Sequence, residues 1–164
     1  MMEEARNINF RIIGYIHTPF SEKKGTPIQS YYSKAEGYIE IFPEYVDGLN
    51  DLEEFSHLHL IYHFHKSEGV KLKVIPFLDK KERGVFSTRA PLRPNPIGIS
   101  IVELISINHS ENIIKIRGVD MLDLTPLLDI KPYIPLFDRR DAKTGWISYS
   151  PQDIHEERTS DGRF

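Results

Sequence analysis

The chain has 164 residues and 19.1 kDa, with 40% hydrophobic and 27% charged residues, the make-up of one ordinary globular domain rather than a disordered or membrane-embedded chain. It has no cysteine, which excludes disulfides, zinc–thiolate and iron–sulfur sites and a thiol nucleophile. Its net charge of −3 argues against a protein coated in nucleic acid, but not against a local basic patch that grips one.

No apolar run approaches the roughly 18 residues of a membrane span, and Met1-Met2-Glu3-Glu4 opens no basic-then-apolar leader, so a cytoplasmic protein without membrane contact is expected. Residues 10–16 (FRIIGYI) predict a first strand, ended by His17-Thr18-Pro19. Residues 20–29 form a polar loop punctuated by Gly25 and Pro27, long enough to be functional. Tyr38 to Phe42 alternates as a second strand that Pro43 stops. Asn50 or Asp51 is placed to cap a helix of about two turns near residues 45–55.

The clearest periodicity lies in Ser56 to His65. Leu58, Leu60, Tyr62 and Phe64 fall on one strand face, and His57, His59, Ile61, His63 and His65 on the other. Neighbouring histidines on that face, about 7 Å apart, could chelate a metal, but one straight strand cannot wrap four of them around an ion without a carboxylate from elsewhere. A half-solvated or interfacial sheet face accounts for the same pattern, and no metal is assigned. Residues 66–83 are rich in lysine (Lys66, Lys71, Lys73, Lys80, Lys81), either a solvated face or a phosphate-facing patch.

Residues 88–98 (TRAPLRPNPIG) cannot be helix or central strand. Pro91, Pro94 and Pro96 fix their own φ and push Ala90, Arg93 and Asn95 toward extended backbone. The result is a stiff loop carrying Arg89, Arg93 and Asn95, which loses little entropy on closing over a ligand. Ile97 to Ile107 and Ile113 to Val119 then read as a hairpin. In residues 128–135 (LDIKPYIP), Asp129, Lys131 and Tyr133 share one face if the segment is extended. That trio is either a polar site able to move a proton or a surface ion pair beside a tyrosine. From Pro151 onward a loosely held polar tail is expected, leaving 1–150 as the folded domain and 151–164 as the tail.

The Gly-rich dinucleotide fingerprint, the Walker loop, Gly-x-Ser-x-Gly and His-Glu-x-x-His are all absent. With many strands and one short helix, the expected architecture is a mostly β, single-domain barrel or strongly curved sheet with long rim loops, not a Rossmann fold.

The runs FSTRAPLRPNPIGIS (86–100) and LDIKPYIP (128–135), with His17-Thr18-Pro19, Lys24-Gly25-Thr26-Pro27, Phe55-Ser56-His57 and Phe64-His65-Lys66-Ser67, resemble the TrmO family of S-adenosylmethionine-dependent tRNA methyltransferases. The resemblance implies a β-barrel methyltransferase working as a homodimer with S-adenosyl-L-methionine near the interface. Its substrate would be tRNA, methylated at N6 of threonylcarbamoyladenosine beside the anticodon. It further implies cofactor binding by Arg89, Arg93, Asn95, Ile97, Gly98, Ile99, Asp129 and Lys131. Asp129, Tyr133 and Lys131 would carry catalysis, and Gln29, His65, Lys71, Lys73, Lys80 and Lys81 would contact tRNA. Alternatives from other classes are a non-catalytic cofactor- or RNA-binding module and a metal-dependent hydrolase using the histidine strand. Three positions depart from the family pattern: Ala90 for a common serine, Ile28 for an arginine, and Leu124 for the glycine before Thr125-Pro126.

Overall fold

Short alternating stretches of branched apolar residues pair into a closed barrel, seen in a computed structural model that describes residues 6–148 and 158–164. Its strands are β1 (Gly14–His17), β2 (Glu36–Ile41), β3 (His57–His63), β6 (Ile97–Asn108), β7 (Ile113–Arg117) and β8 (Thr125–Pro132). They run in the order β1-β2-β7-β6-β3-β8, antiparallel at each seam. The short strands β4 (Lys73–Val74) and β5 (Arg83–Gly84) pair separately. The expected mostly β, non-Rossmann class holds, and the curved sheet closes fully.

Closure rests on β1, which pairs Gly14 with Ile41 on one side and with Leu127 on the other. A Cβ at Gly14 would sit 2.1 Å from the Glu40 carbonyl oxygen, so only glycine allows that approach. Inward-facing Ile16, Ile39, Leu58, Leu60, Val102, Ile114, Ile116 and Leu127 are almost wholly buried and fill the barrel. Each such side chain stabilises the fold by about 1.5–3 kcal/mol relative to leaving it in water.

The face assignment of β3 is as expected, with Leu58, Leu60 and Tyr62 inside and His57, His59, Ile61 and His63 outside. The first strand is shorter and later than expected, and β2 begins at Glu36. The two-turn helix near 45–55 is replaced by two 3₁₀ segments, Pro43–Leu49 and Leu52–Glu54. Asp51 makes no side-chain cap there, because its φ of 65° breaks the chain between them. Among the described residues the only α-helix is α1 (Pro135–Asp138).

A bulge decides what β8 presents. Ile61 pairs with Asp129 and Tyr62 with Leu127, leaving Leu128 as the extra residue. Strict alternation would point Leu127, Asp129 and Lys131 the same way. The bulge reverses the parity, so Leu127 fills the core while Asp129 and Lys131 lie outside, opposite Ile61 and His59.

Of the expected tail, residues 151–157 lie outside the described residues. Residues 158–164 are not loose: Thr159 bridges Pro27, Ser160 exchanges backbone hydrogen bonds with Gly25 and Thr26, and Phe164 packs on Val74, Val85 and Ala90. Backbone pairing and an apolar anchor outweigh the polar composition of this segment.

Candidate active site

A cavity of about 960 Å³ opens at one end of the barrel, where β3 ends, β6 begins and the loop before β8 crosses. Five other segments complete its wall: residues 23–32, 64–67, 76–78, 86–93 and 143–147, with Ser160 and Phe164. Its size suits a nucleotide-like ligand with room beside it for part of a second molecule.

The proline loop is fastened before any ligand arrives. Ala90 and Leu92 are buried, the Ser67 hydroxyl donates to the Pro91 carbonyl at 3.0 Å, and the Lys71 amide donates to the Leu92 carbonyl at 3.1 Å. Arg93 works inside the loop: its Nη1 donates to the carbonyls of Thr88 (3.0 Å) and Ala90 (3.1 Å), with Val85 at 3.4 Å. Arg89 instead reaches across to the loop of residues 20–29, donating to Gln29 Oε1 at 2.7 Å. Gly98 makes room at the floor, since a Cβ there would lie 2.2 Å from the Tyr62 ring.

The floor also holds a polar chain. The Tyr62 hydroxyl lies 3.0 Å from Ser100 Oγ, which donates to Asp120 Oδ1 at 2.5 Å. Burial pushes the Asp120 carboxyl up to about 6 against the opposing Ser100 hydrogen bond. Burial, with the Asp120 charge adding to it, pushes the Tyr62 phenol well above its usual value. Among the described residues Asp120 is the only carboxylate lining the cavity, with Lys23, Lys66, Lys143, Arg89 and Arg93. At the rim, burial and the neighbouring Lys66 lower the pKa of His65.

Of the residues named from sequence, Gln29, His65, Arg89, Arg93, Ile97, Gly98 and Ile99 line this cavity. Asn95, Asp129, Lys131 and Tyr133 do not line it, nor do Lys71, Lys73, Lys80 and Lys81. Lys73 lies 3.9 Å from Glu82, an exposed pair of little energetic weight. The trio sits together on the outer surface of β8. Lys131 Nζ is 2.8 Å from Asp129 Oδ2, and the Tyr133 ring rests against those of His57 and His59, centroids 6.4 and 5.5 Å away.

The histidine face is occupied by ordinary partners: Ser56 Oγ lies 2.9 Å from His57 Nδ1, and Asp138 Oδ2 lies 3.3 Å from His59 Nε2. Among the described residues no group of three or more histidines and carboxylates is arranged to hold a metal, and no helix is long and apolar enough to cross a membrane. Sequence reasoning assigned no role to Tyr62, Ser100, Asp120 or Trp146. A lone carboxylate directly after the apolar run of β7 was the available signal for Asp120. Nothing in the polar segment 158–164 signalled that Ser160 and Phe164 reach the cavity.

The model of the tRNA-methyltransferase O N-terminal domain matches residues 15–139. A probable S-adenosyl-L-methionine-binding protein of Pyrococcus abyssi is 52% identical, over 96% of this chain and 85% of the relative. A tRNA (adenine(37)-N6)-methyltransferase of Escherichia coli is 37% identical, over 88% of this chain and 66% of the relative. Among solved structures, TrmO from Pseudomonas aeruginosa superposes with a TM-score of 0.71 at 36% identity, covering 87% of this chain. This chain spans 63% of that structure's length.

Proposed function

The chain belongs to the tRNA-methyltransferase O family, and on that premise we propose that it is an S-adenosylmethionine-dependent methyltransferase acting on N6 of adenosine 37 in tRNA. We take the acceptor to be the threonylcarbamoylated form, and the enzyme to be a cytoplasmic homodimer. The observation that carries the reading is that the family's own loop, residues 88–98, forms a wall of the large cavity, with Arg89 facing it.

The donors suit the cofactor. A dicationic, monocarboxylate ligand is matched by a cavity with a guanidinium at its rim, one partly buried carboxylate at its floor and apolar walls from Ile97, Ile99 and Met121. When bound, S-adenosylmethionine supplies a methyl group activated on a sulfonium centre. Arg89, already placed by Gln29, holds the carboxylate end. Gly98 and the Tyr62 ring shape the floor, and the fastened loop excludes water. Methyl transfer is an in-line displacement, so this positioning supplies much of the rate.

The acceptor nitrogen carries a proton that must leave. Asp129, kept beside Lys131, or the Tyr133 phenol takes it, and Lys131 also faces the substrate's carboxylate. The trio reaches a cavity in the dimer. In the barrel, β3 lies between β6 and β8. A twofold axis near β3 lays one protomer's β8 over the partner's β6, where Ile97 and Ile99 border the cavity. Supporting this, the outer face exposes Ile97, Ile99 and Ile101, and α1 exposes Leu136 and Phe137.

Isotopically labelled cofactor, with tRNA carrying or lacking threonylcarbamoyladenosine and nucleoside mass spectrometry as the readout, tests the reading. Label on the modified tRNA alone supports it; measurable cofactor binding with no label on either tRNA overturns it. That second result would favour a non-catalytic cofactor-binding module, a reading that the position of the trio outside its own protomer's cavity also permits.

A further inference from the structure

The cavity's outer lip carries exposed aromatic rings and lysines, and the mechanism above uses neither. Phe86 is 75% exposed and Tyr31 67% exposed, yet both line the cavity, as does Trp146. Single exposed rings are common on protein surfaces. Here each is fixed in place at the same opening. Phe86 sits in the 3₁₀ turn Val85–Ser87, anchored by the buried Val85, with the Arg93 guanidinium 5.9 Å from its ring centre. Trp146 donates from Nε1 to the Ser87 carbonyl at 2.8 Å, and Arg83 lies over its ring at 5.4 Å. Tyr31 sits in the 3₁₀ turn Ser30–Tyr32, edge-on to Tyr32 with centroids 5.3 Å apart.

Charge at this opening runs against that of the chain. The protein carries −3 overall, while among the described residues Lys23, Lys66, Lys143, Arg89 and Arg93 line the cavity against the partly buried Asp120 alone. Cations that meet a phosphate backbone, next to rigid rings with open faces, are how proteins hold single-stranded nucleic acid without reading a duplex.

We infer that Phe86 and Tyr31 are stacking platforms for unpaired bases of an RNA loop, with Lys23, Lys66 and Lys143 meeting its phosphates. The inference rests on the methyltransferase reading for the identity of the nucleic acid. It moves the RNA contact from the lysines at 71–81 to the cavity lip. Because Arg93 and Ser87 already order the lip, stacking there loses little side-chain freedom.

The probe is an RNA stem-loop with 2-aminopurine in its unpaired loop, compared with the same sequence fully paired. Wild type, Phe86→Ala, Phe86→Tyr and Tyr31→Ala are checked for folding by circular dichroism, and cofactor affinity is measured separately by calorimetry. Wild type should bind the stem-loop more tightly than the duplex and quench its fluorescence. Each alanine variant should lose roughly tenfold or more in stem-loop affinity. Phe86→Tyr should restore it, and cofactor affinity should not move. Unchanged stem-loop affinity in both alanine variants overturns the inference, as does an equal loss of cofactor affinity. A shift in sedimentation coefficient without an RNA effect also overturns it, and assigns the ring to contact with a second copy. Methyl transfer scored in parallel separates the two readings. RNA binding that depends on Phe86 without transfer overturns the enzymatic reading alone, and transfer with Phe86-independent binding overturns this inference alone. Absence of RNA binding by wild type overturns both.

Discussion

Arg89 donates from Nη1 to Gln29 Oε1 at 2.7 Å, tying the proline loop to the loop before β2 across the cavity lip. The pair is exposed, so it adds little to folding stability. Arg89→Ala should therefore change stability by less than about 0.5 kcal/mol. It should weaken cofactor binding by about 10–100-fold, the cost of losing a charge-assisted hydrogen bond. Calorimetric titration beside a urea melt checks both numbers. Gln29→Ala should weaken binding less, since it frees the guanidinium without removing it.

Arg93 should behave in the opposite way. Its guanidinium holds carbonyls of its own loop. Arg93→Ala should destabilise the fold by about 1–3 kcal/mol, because those carbonyls lose a charged donor. Arg93→Lys should not rescue it, since an ammonium cannot copy the planar fork. Urea midpoints of the two variants test this.

The left-handed backbone at Leu124 has a measurable cost. Leu124 has φ of 60° and is 53% exposed, so its side chain gives up little burial and its backbone sits in the left-handed region. Leu124→Gly should stabilise the protein by about 0.5–1 kcal/mol, the relief being partly offset by glycine's greater freedom when unfolded. An unchanged or lower midpoint would contradict this.

Asp120 gives stability a defined pH dependence. Its folded pKa is raised from 3.8 to about 6, so in this window the native state binds more protons than the unfolded state. Its contribution is fully present below 3.8 and is lost as pH rises through about 6. The total corresponds to about 3 kcal/mol. In Asp120→Asn, whatever its constant offset, that decline between pH 4 and 7 should disappear. Urea melts across the range give the slope directly.

If the trio serves the partner's cavity, two variants should complement each other when cofactor is held well below the weakened Kd of Arg89→Ala. There Arg89→Ala leaves its cavity empty and Asp129→Asn removes the trio's carboxylate. Refolded as a mixture, half of the dimers carry one intact site, and activity should return to about a quarter of wild type. No recovery would place both groups in one protomer's site.

The inward face of β3, the β6–β7 hairpin and the stiffness of residues 88–98 were legible because each follows from local alternation or from proline. The outward turn of Asp129 and Lys131 was legible only in part. Their common face follows from period two, but which face depends on the bulge at Leu128, set by pairing with β3. The helix expected near 51 failed because Pro43, Gly48 and the left-handed Asp51 divide the segment into turns too short for an α-helical ladder. Asp120 and the docking of 158–164 are products of tertiary contact, which no local pattern encodes.

The seam between β1 and β8 bears on how the protein is made. Gly14 meets Leu127, so the last pairing joins nearly opposite ends of the barrel's sequence. Pairings of such long range make folding slow, on the order of milliseconds to seconds. During synthesis the proline loop is made before β8, the strand that closes the ring. The cavity is complete only later still, because Lys143, Trp146, Ser160 and Phe164 line it too, so ligand recognition arrives with these last segments rather than with the synthesis of the motif that marks it.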